Sequence, residues 1–249
     1  MSGPVHRDGV GKFCRAVRAA VSTVYFRVDD ARPDNVHTDA FTGNFPCQTK
    51  AEGGLASSFR SDMASEGDIA SMFEAADKLG TVTAFVANAG IAASQSRVDE
   101  LTASRITELL AVNVAGPLLA CGHAVRRMST LRGGSGGGIV LVSSVASRLG
   151  AAGEYVDYAA SNGAIDTLGL GLSREVAGEG IRVNVVRPGI IDTEIHGRNG
   201  RPDRATELAH TIPMQRPGHA AEVAASIIWL LSDDASYCTG SILDVAGGR

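Results

Sequence analysis

Metal-ligand spacing is missing from this chain. Its cysteines, Cys14, Cys47, Cys121 and Cys238, lie far apart and form no CxxC pair. That spacing signals neither a zinc knuckle nor a disulfide framework, and reduced, mostly buried thiols suit a cytoplasmic protein. The six histidines show no HxxxH or HExxH pattern, which argues against a metal site. Positive charge is thin: the net charge is −4, and Arg126–Arg127 reads as a solvated helix surface. No basic face builds up, so no nucleic-acid partner is expected. Long hydrophobic runs are lacking as well. No apolar run approaches the roughly 20 residues of a membrane span, and the polar opening MSGPVHRD carries no signal peptide.

What is present suits one globular α/β domain over residues 1–249. There are 30 glycines, and 44% of residues are hydrophobic. From about residue 62 strands and helices alternate. DIASMFEAADKLG sets Ile69, Met72, Phe73 and Ala76 on one helical face, with Gly80 as its stop. TVTAFVANAG is a buried strand ending in a turn. ELLAVNVAGPLLACGHAVRRM spaces Leu109, Val112, Leu119 and Val125 at helical intervals, with a kink or close contact expected at Gly116–Pro117. GGIVLVSS, IRVNVVRPG and SILDV read as strands. YVDYAASNGAIDTLGL opens a long helix, and EVAASIIWLLSDDASY is another. Such alternation predicts a doubly wound parallel sheet covered on both faces, with ligands beyond the carboxyl ends of the strands. The residues to read for function are therefore Asn88-Ala89-Gly90, Ser143-Ser144 and Pro188-Gly189.

Together these strand ends resemble the short-chain dehydrogenase/reductase family over residues 62–249. ANAG (Ala87–Gly90) is similar to the family's NNAG turn, and AVNVAG carries Asn113, which matches the family's helix asparagine. VSSVAS supplies Ser144, YAASN supplies Tyr158 of the YxxxK motif, and RPGIIDT supplies Pro188, Gly189, Ile191 and Thr193 of the PGxxxT loop. The resemblance implies an NAD(P)-dependent oxidoreductase that interconverts an alcohol and a ketone. Tyr158 would be its acid/base, Ser144 would hold the carbonyl oxygen, and Asn113 would hold a relay water. Asp62 and Met63 would meet the adenine, and the Asn88–Gly90 backbone would pass close to the cofactor. It also implies a homodimer or homotetramer, and a substrate lid over residues 194–216 that includes Ile195, His196 and Met214.

Two departures stand out. Asn162 occupies the place of the family's lysine. It can hydrogen-bond a ribose hydroxyl but supplies no charge to lower the tyrosine pKa. Residues 1–61 are atypical: Gly9 and Gly11 match only the last two glycines of the TGxxxGxG loop, and too few residues precede them for a first strand. STVYFRVDD reads as a strand, and its Asp29 falls near the family position for an acidic residue on the adenine ribose. A carboxylate there favours NAD over NADP. A second reading stays open beside the enzymatic one, that of a non-catalytic family member serving as a subunit or binding scaffold.

Overall fold

Runs of β-branched residues form the sheet, and the glycine- and serine-rich junctions turn the chain between layers. The computed structural model describes the backbone of residues 24–29 and the segments 59–192 and 204–249. Its strands are β1 (Val24–Asp29), β2 (Thr81–Ala87), β3 (Gly137–Val142), β4 (Ile181–Pro188), β5 (Ile191–Asp192), β6 (Gly218–His219) and β7 (Ile242–Val245). Its α-helices are α1 (Glu66–Leu79), α2 (Ala103–Leu110), α3 (Gly116–Met128), α4 (Ala146–Leu149), α5 (Val156–Val176), α6 (Arg204–Glu207) and α7 (Ala220–Leu231). The main sheet runs β1-β2-β3-β4-β7. The pairs β2–β3, β3–β4 and β4–β7 are parallel, as expected for a doubly wound sheet.

The edge strand differs from that expectation. β1 pairs with β2 in the antiparallel sense, with Val24 opposite Ala87 and Asp29 opposite Thr81. An antiparallel neighbour points its carboxyl end the other way. Asp29 therefore sits at the sheet edge where β2 begins, away from the ends of β2, β3 and β4. The adenine-ribose role expected of Asp29 does not fit this placement.

Alternation along the strands divides the core into two layers. Phe85, Ile139, Leu141, Val183 and Val185 face Ile69 and Phe73 of α1, Ala120 and Met128 of α3, and Ile165 of α5. Val86, Val140 and Val186 face Val223, Ala224 and Ile227 of α7. The helical stretch Ala103–Met128 is by length and composition apolar enough to cross a membrane. Its Leu109, Ala120, Cys121, Ala124 and Met128 are instead buried, as on the inner side of a core helix. Charged residues interrupt the stretch, with Arg105 and Glu108 near its start and Arg126 and Arg127 at its end.

Local chemistry sets the helix ends. Ser65 caps α1 by accepting from the Asp68 N–H, and Thr102 caps α2 by accepting from the Arg105 N–H. At the far end of α7, Arg182 of β4 donates to the carbonyls of Leu230 (2.6 Å) and Ser232 (3.1 Å). Terminal carbonyls have no intrahelical partner, so the guanidinium completes that end. A third, longer bond runs from Nη1 to the Cys238 carbonyl at 3.4 Å, and Arg182→Ala is expected to lower the unfolding free energy by about 3 kcal/mol, chiefly from the two shorter bonds to a charged donor. Urea denaturation monitored by far-UV circular dichroism would measure it. A loss of under about 1 kcal/mol would show that water replaces the guanidinium.

Candidate active site

β2, β3 and β4 end together on one edge of the sheet, and a cleft of about 290 Å³ opens there. Asn88-Ala89-Gly90 line it after β2, Ser143-Ser144 after β3, and Pro188 to Ile191 after β4. Tyr158 and Asn162 enter from α5, and Asn113 from the segment before α3. Pro117, Val223 and Ile227 make apolar wall. Gly189 is required where β4 leaves the sheet: a Cβ on it would stand 2.8 Å from the Ala246 Cα.

The two serines at the end of β3 divide their roles. Ser143 is buried, and its hydroxyl donates to the Asn162 carbonyl at 3.1 Å. That bond ties β3 to α5 and turns Ser143 away from chemistry. The Ser144 Oγ accepts from the Ala146 N–H at 3.1 Å, which fixes the entry to α4, and it lies beside the Tyr158 hydroxyl. Burial pushes the Tyr158 pKa up, while the side chains of Asn162 and Ser144 act against that rise. Both of those neighbours are neutral.

Asn162 is buried, and its amide nitrogen donates to the Tyr158 carbonyl at 2.8 Å, one turn back on α5. The side chain is thus partly committed to its own helix. Asn113 sits in a π-helical turn, Ala111–Ala115, inserted between α2 and α3. Such turns close i→i+5 hydrogen bonds, insert one residue into the helix and are frequent at functional sites. The Asn113 Oδ1 accepts from the Ile91 N–H at 2.8 Å. Its Nδ2 donates to the Ile91 carbonyl at 2.8 Å and to the Ser161 Oγ at 3.2 Å. Both amide hydrogens and one acceptor site of Oδ1 are used in pinning the segment after β2 to α5. Gly116, next in the chain, lets this helix touch the Met63 carbonyl where a Cβ would collide.

Other expected site residues are not brought together. Asp62 and Met63 are absent from the residues lining the cleft. The Asp62 Oδ1 accepts from the Ala64 N–H at 2.9 Å, and Met63 is buried in the core. Gly9, Gly11, Thr193, Ile195 and His196 lie outside the described residues. Of the expected lid, α6 and the turn Ala209–Thr211 are described, with Ile212 buried and Met214 exposed. Sequence reasoning missed Tyr155, Glu154 and Arg249, which also line the cleft. Only the proximity of Tyr155 to Tyr158 hinted at it. Among the described residues, no cluster of His, Cys, Asp and Glu could hold a metal ion.

The enoyl-(acyl carrier protein) reductase family model matches residues 42–249. The chain is 56% identical over 198 residues to the uncharacterized oxidoreductase YgfF of Escherichia coli, covering 79% of this chain and 80% of that one. The chain belongs to the short-chain dehydrogenase/reductase family. It is similar to a human 3-oxoacyl-[acyl-carrier-protein] reductase, 36% identical over 197 residues, covering 79% of this chain and 78% of the relative. A blue fluorescent protein from a metagenomic library, solved with NADPH, superposes with a TM-score of 0.73 at 28% identity, covering 86% of this chain and 85% of that chain.

As a short-chain dehydrogenase the chain is an oxidoreductase of the NAD(P)-dependent kind. Its cleft fits the nicotinamide half of such a cofactor. Glycine-bearing backbone after β2 and β4 allows close approach, and the Ser144 and Tyr158 hydroxyls converge on one side.

Proposed function

We propose that this short-chain dehydrogenase reduces a ketone to an alcohol, and runs the reverse reaction, by hydride transfer with NAD(P). The observation that carries the reading is the convergence of the Tyr158 and Ser144 hydroxyls in a cleft walled by the Asn88–Gly90 backbone. The bound nicotinamide supplies or accepts the hydride. The Asn88–Gly90 and Pro188–Ile191 backbone would hold it. Ser144 donates to the carbonyl oxygen and steadies its developing negative charge. Tyr158 gives that oxygen its phenolic proton in reduction and takes the proton back in oxidation. The raised Tyr158 pKa keeps the phenol protonated at neutral pH, which favours its service as the acid. Asn162 holds the Tyr158 turn of α5 and leaves the phenol without a cationic neighbour.

The substrate is a small alcohol or carbonyl compound. Exposed Leu110, Leu118, Leu119 and Leu170 on α2, α3 and α5 support a homodimer or homotetramer, and a cytoplasmic site of action accords with free thiols at Cys121 and Cys238. Two observations favour the second reading, that of a non-catalytic scaffold. They are Asn162 in the lysine position and the antiparallel β1.

Titration of the protein with NADH and with NADPH, followed by nicotinamide fluorescence, separates the two. Saturable binding is expected for at least one of them, and a carbonyl screen then follows. A folded protein that binds neither at millimolar concentration would move the conclusion to the scaffold. Because Asp29 stands at the far edge of the sheet, the expected NAD preference has lost its support. The ratio of the two affinities decides it.

A further inference from the structure

Arg105 and Asp157 form an ion pair between α2 and the first turn of α5, 52 residues apart in the chain. The Arg105 Nε reaches the Asp157 Oδ2 at 2.8 Å, and Nη2 reaches Oδ1 at 3.3 Å. Their side chains are only 19% and 5% exposed. The pair has two further attachments. The Arg105 Nη1 donates to the Ser94 carbonyl at 2.8 Å, in the segment that follows β2. The Asp157 Oδ1 accepts from the Tyr158 N–H at 2.9 Å. That N–H is one of the first four of α5, which have no intrahelical acceptor.

One side of the guanidinium therefore grips the segment after β2, two residues beyond the cleft-lining Ala92, and the other grips the carboxylate that caps the amide of Tyr158 itself. Other contacts run the same way. Ser96 N–H donates to the Glu154 carbonyl at 3.0 Å, and Asn113 joins Ile91 to Ser161. Burial works to raise the Asp157 pKa, and the hydrogen bonds from Arg105 and the Tyr158 amide overcome it, so the carboxyl sits below its ordinary value. A buried ion pair contributes little net stability against an apolar replacement, whereas losing one partner strands the other charge. What this pair adds is geometry, because a guanidinium offers several donors in a fixed fork and an ammonium does not.

We propose that Arg105 and Asp157 are positioning residues that lock the segment after β2 to the Tyr158 turn of α5, and so set the distance between the Tyr158 hydroxyl and the opposite cleft wall. The inference rests on the reading of Tyr158 as the proton donor, but its test does not require turnover. Arg105→Lys, Arg105→Gln, Asp157→Asn and the double variant Arg105→Gln/Asp157→Asn would be prepared with 13Cζ-labelled tyrosine. The chain has four tyrosines, and the Tyr158 resonance is assigned by its loss in Tyr158→Phe. The Tyr158 resonance is expected to shift or broaden in every variant. The double variant should resemble the worse single one, as for groups acting as a unit.

Where turnover is measurable, kcat should fall about tenfold or more, with the cofactor KM changed by under about twofold, as for a small misplacement of a reacting group. Arg105→Lys keeps the charge but loses the fork, and it should move the Tyr158 resonance even if the other variants fold poorly. Variants that lose thermal stability while the Tyr158 resonance and kcat stay as in the parent would overturn the proposal. A parent protein with no carbonyl-reducing activity would remove the enzymatic reading alone, and the resonance would still decide the clamp.

Discussion

Replacing Asn162 by lysine is expected to speed alcohol oxidation roughly 10²–10³-fold near neutral pH. Oxidation needs the Tyr158 phenolate, because the phenolate takes the alcohol proton. Burial pushes the Tyr158 pKa above that of an ordinary tyrosine, and the side chains opposing it, Asn162 and Ser144, carry no charge. The phenolate fraction falls tenfold for each unit that the pH lies below the pKa. In the parent protein, oxidation should therefore climb with pH through the neutral range and into the alkaline range. A cation one helical turn away favours the phenolate by about 2–3 units.

Asn162 lines the cleft, so a longer side chain there can extend into it. Ketone reduction uses the protonated phenol and should change far less. Initial rates of oxidation from about pH 6 to about pH 10, with and without the substitution, test this. A lysine variant whose profile keeps its midpoint and its neutral rate would show that the missing charge does not limit this site.

Tyr158→Phe is expected to lower reduction by about 10³-fold while leaving cofactor binding intact, since it removes a proton donor and little volume. Nicotinamide fluorescence reports the binding and a stopped assay the turnover. Residual activity within about tenfold of the parent would mean that another group, or water, protonates the product oxygen. The contrast with Ser143 sharpens the result. The Ser143 hydroxyl is spent on the Asn162 carbonyl, so its loss acts on the packing of β3 against α5 and not on the reacting oxygen.

The main elements beyond residue 62 could be read in the sequence, because β2, β3 and β4 are rich in β-branched residues and α1 and α7 show apolar faces; the short β5, β6, α4 and α6 carry no such pattern. Ile69, Met72, Phe73 and Ala76 are all buried on α1, and Gly80 follows its last residue. The direction of β1 could not be read in the same way. Alternation of side chains says which face a residue takes, and nothing in it distinguishes a parallel neighbour from an antiparallel one. The end of the sheet that Asp29 occupies depends on that direction.

The strand-end residues Asn88–Gly90, Ser143-Ser144 and Pro188-Gly189 are legible because a parallel sheet gathers them without long-range information. Tyr158 and Asn113, on helical segments, are legible through the family resemblance, and they line the same cleft. The occupation of Asn113 and Asn162 by internal hydrogen bonds was not legible, since it depends on partners 22 and 48 residues away for the one and on helix geometry for the other. The Arg105–Asp157 pair had no local signal at all.

The π-helical turn at Ala111–Ala115 acts on everything downstream as a change of phase. Counting at α-helical intervals across it fails by one residue, and Leu119, counted with Leu109, is exposed. One residue is worth about 100° of rotation. Removing a single residue from this turn would swing Ala120, Ala124 and Met128 off the sheet. It would also strip the Asn113 amide from Ile91. Substitution here alters a contact, but a deletion or insertion re-indexes a whole helix. The length of this short stretch is therefore constrained more tightly than its composition, and surviving length variation should gather in the loops.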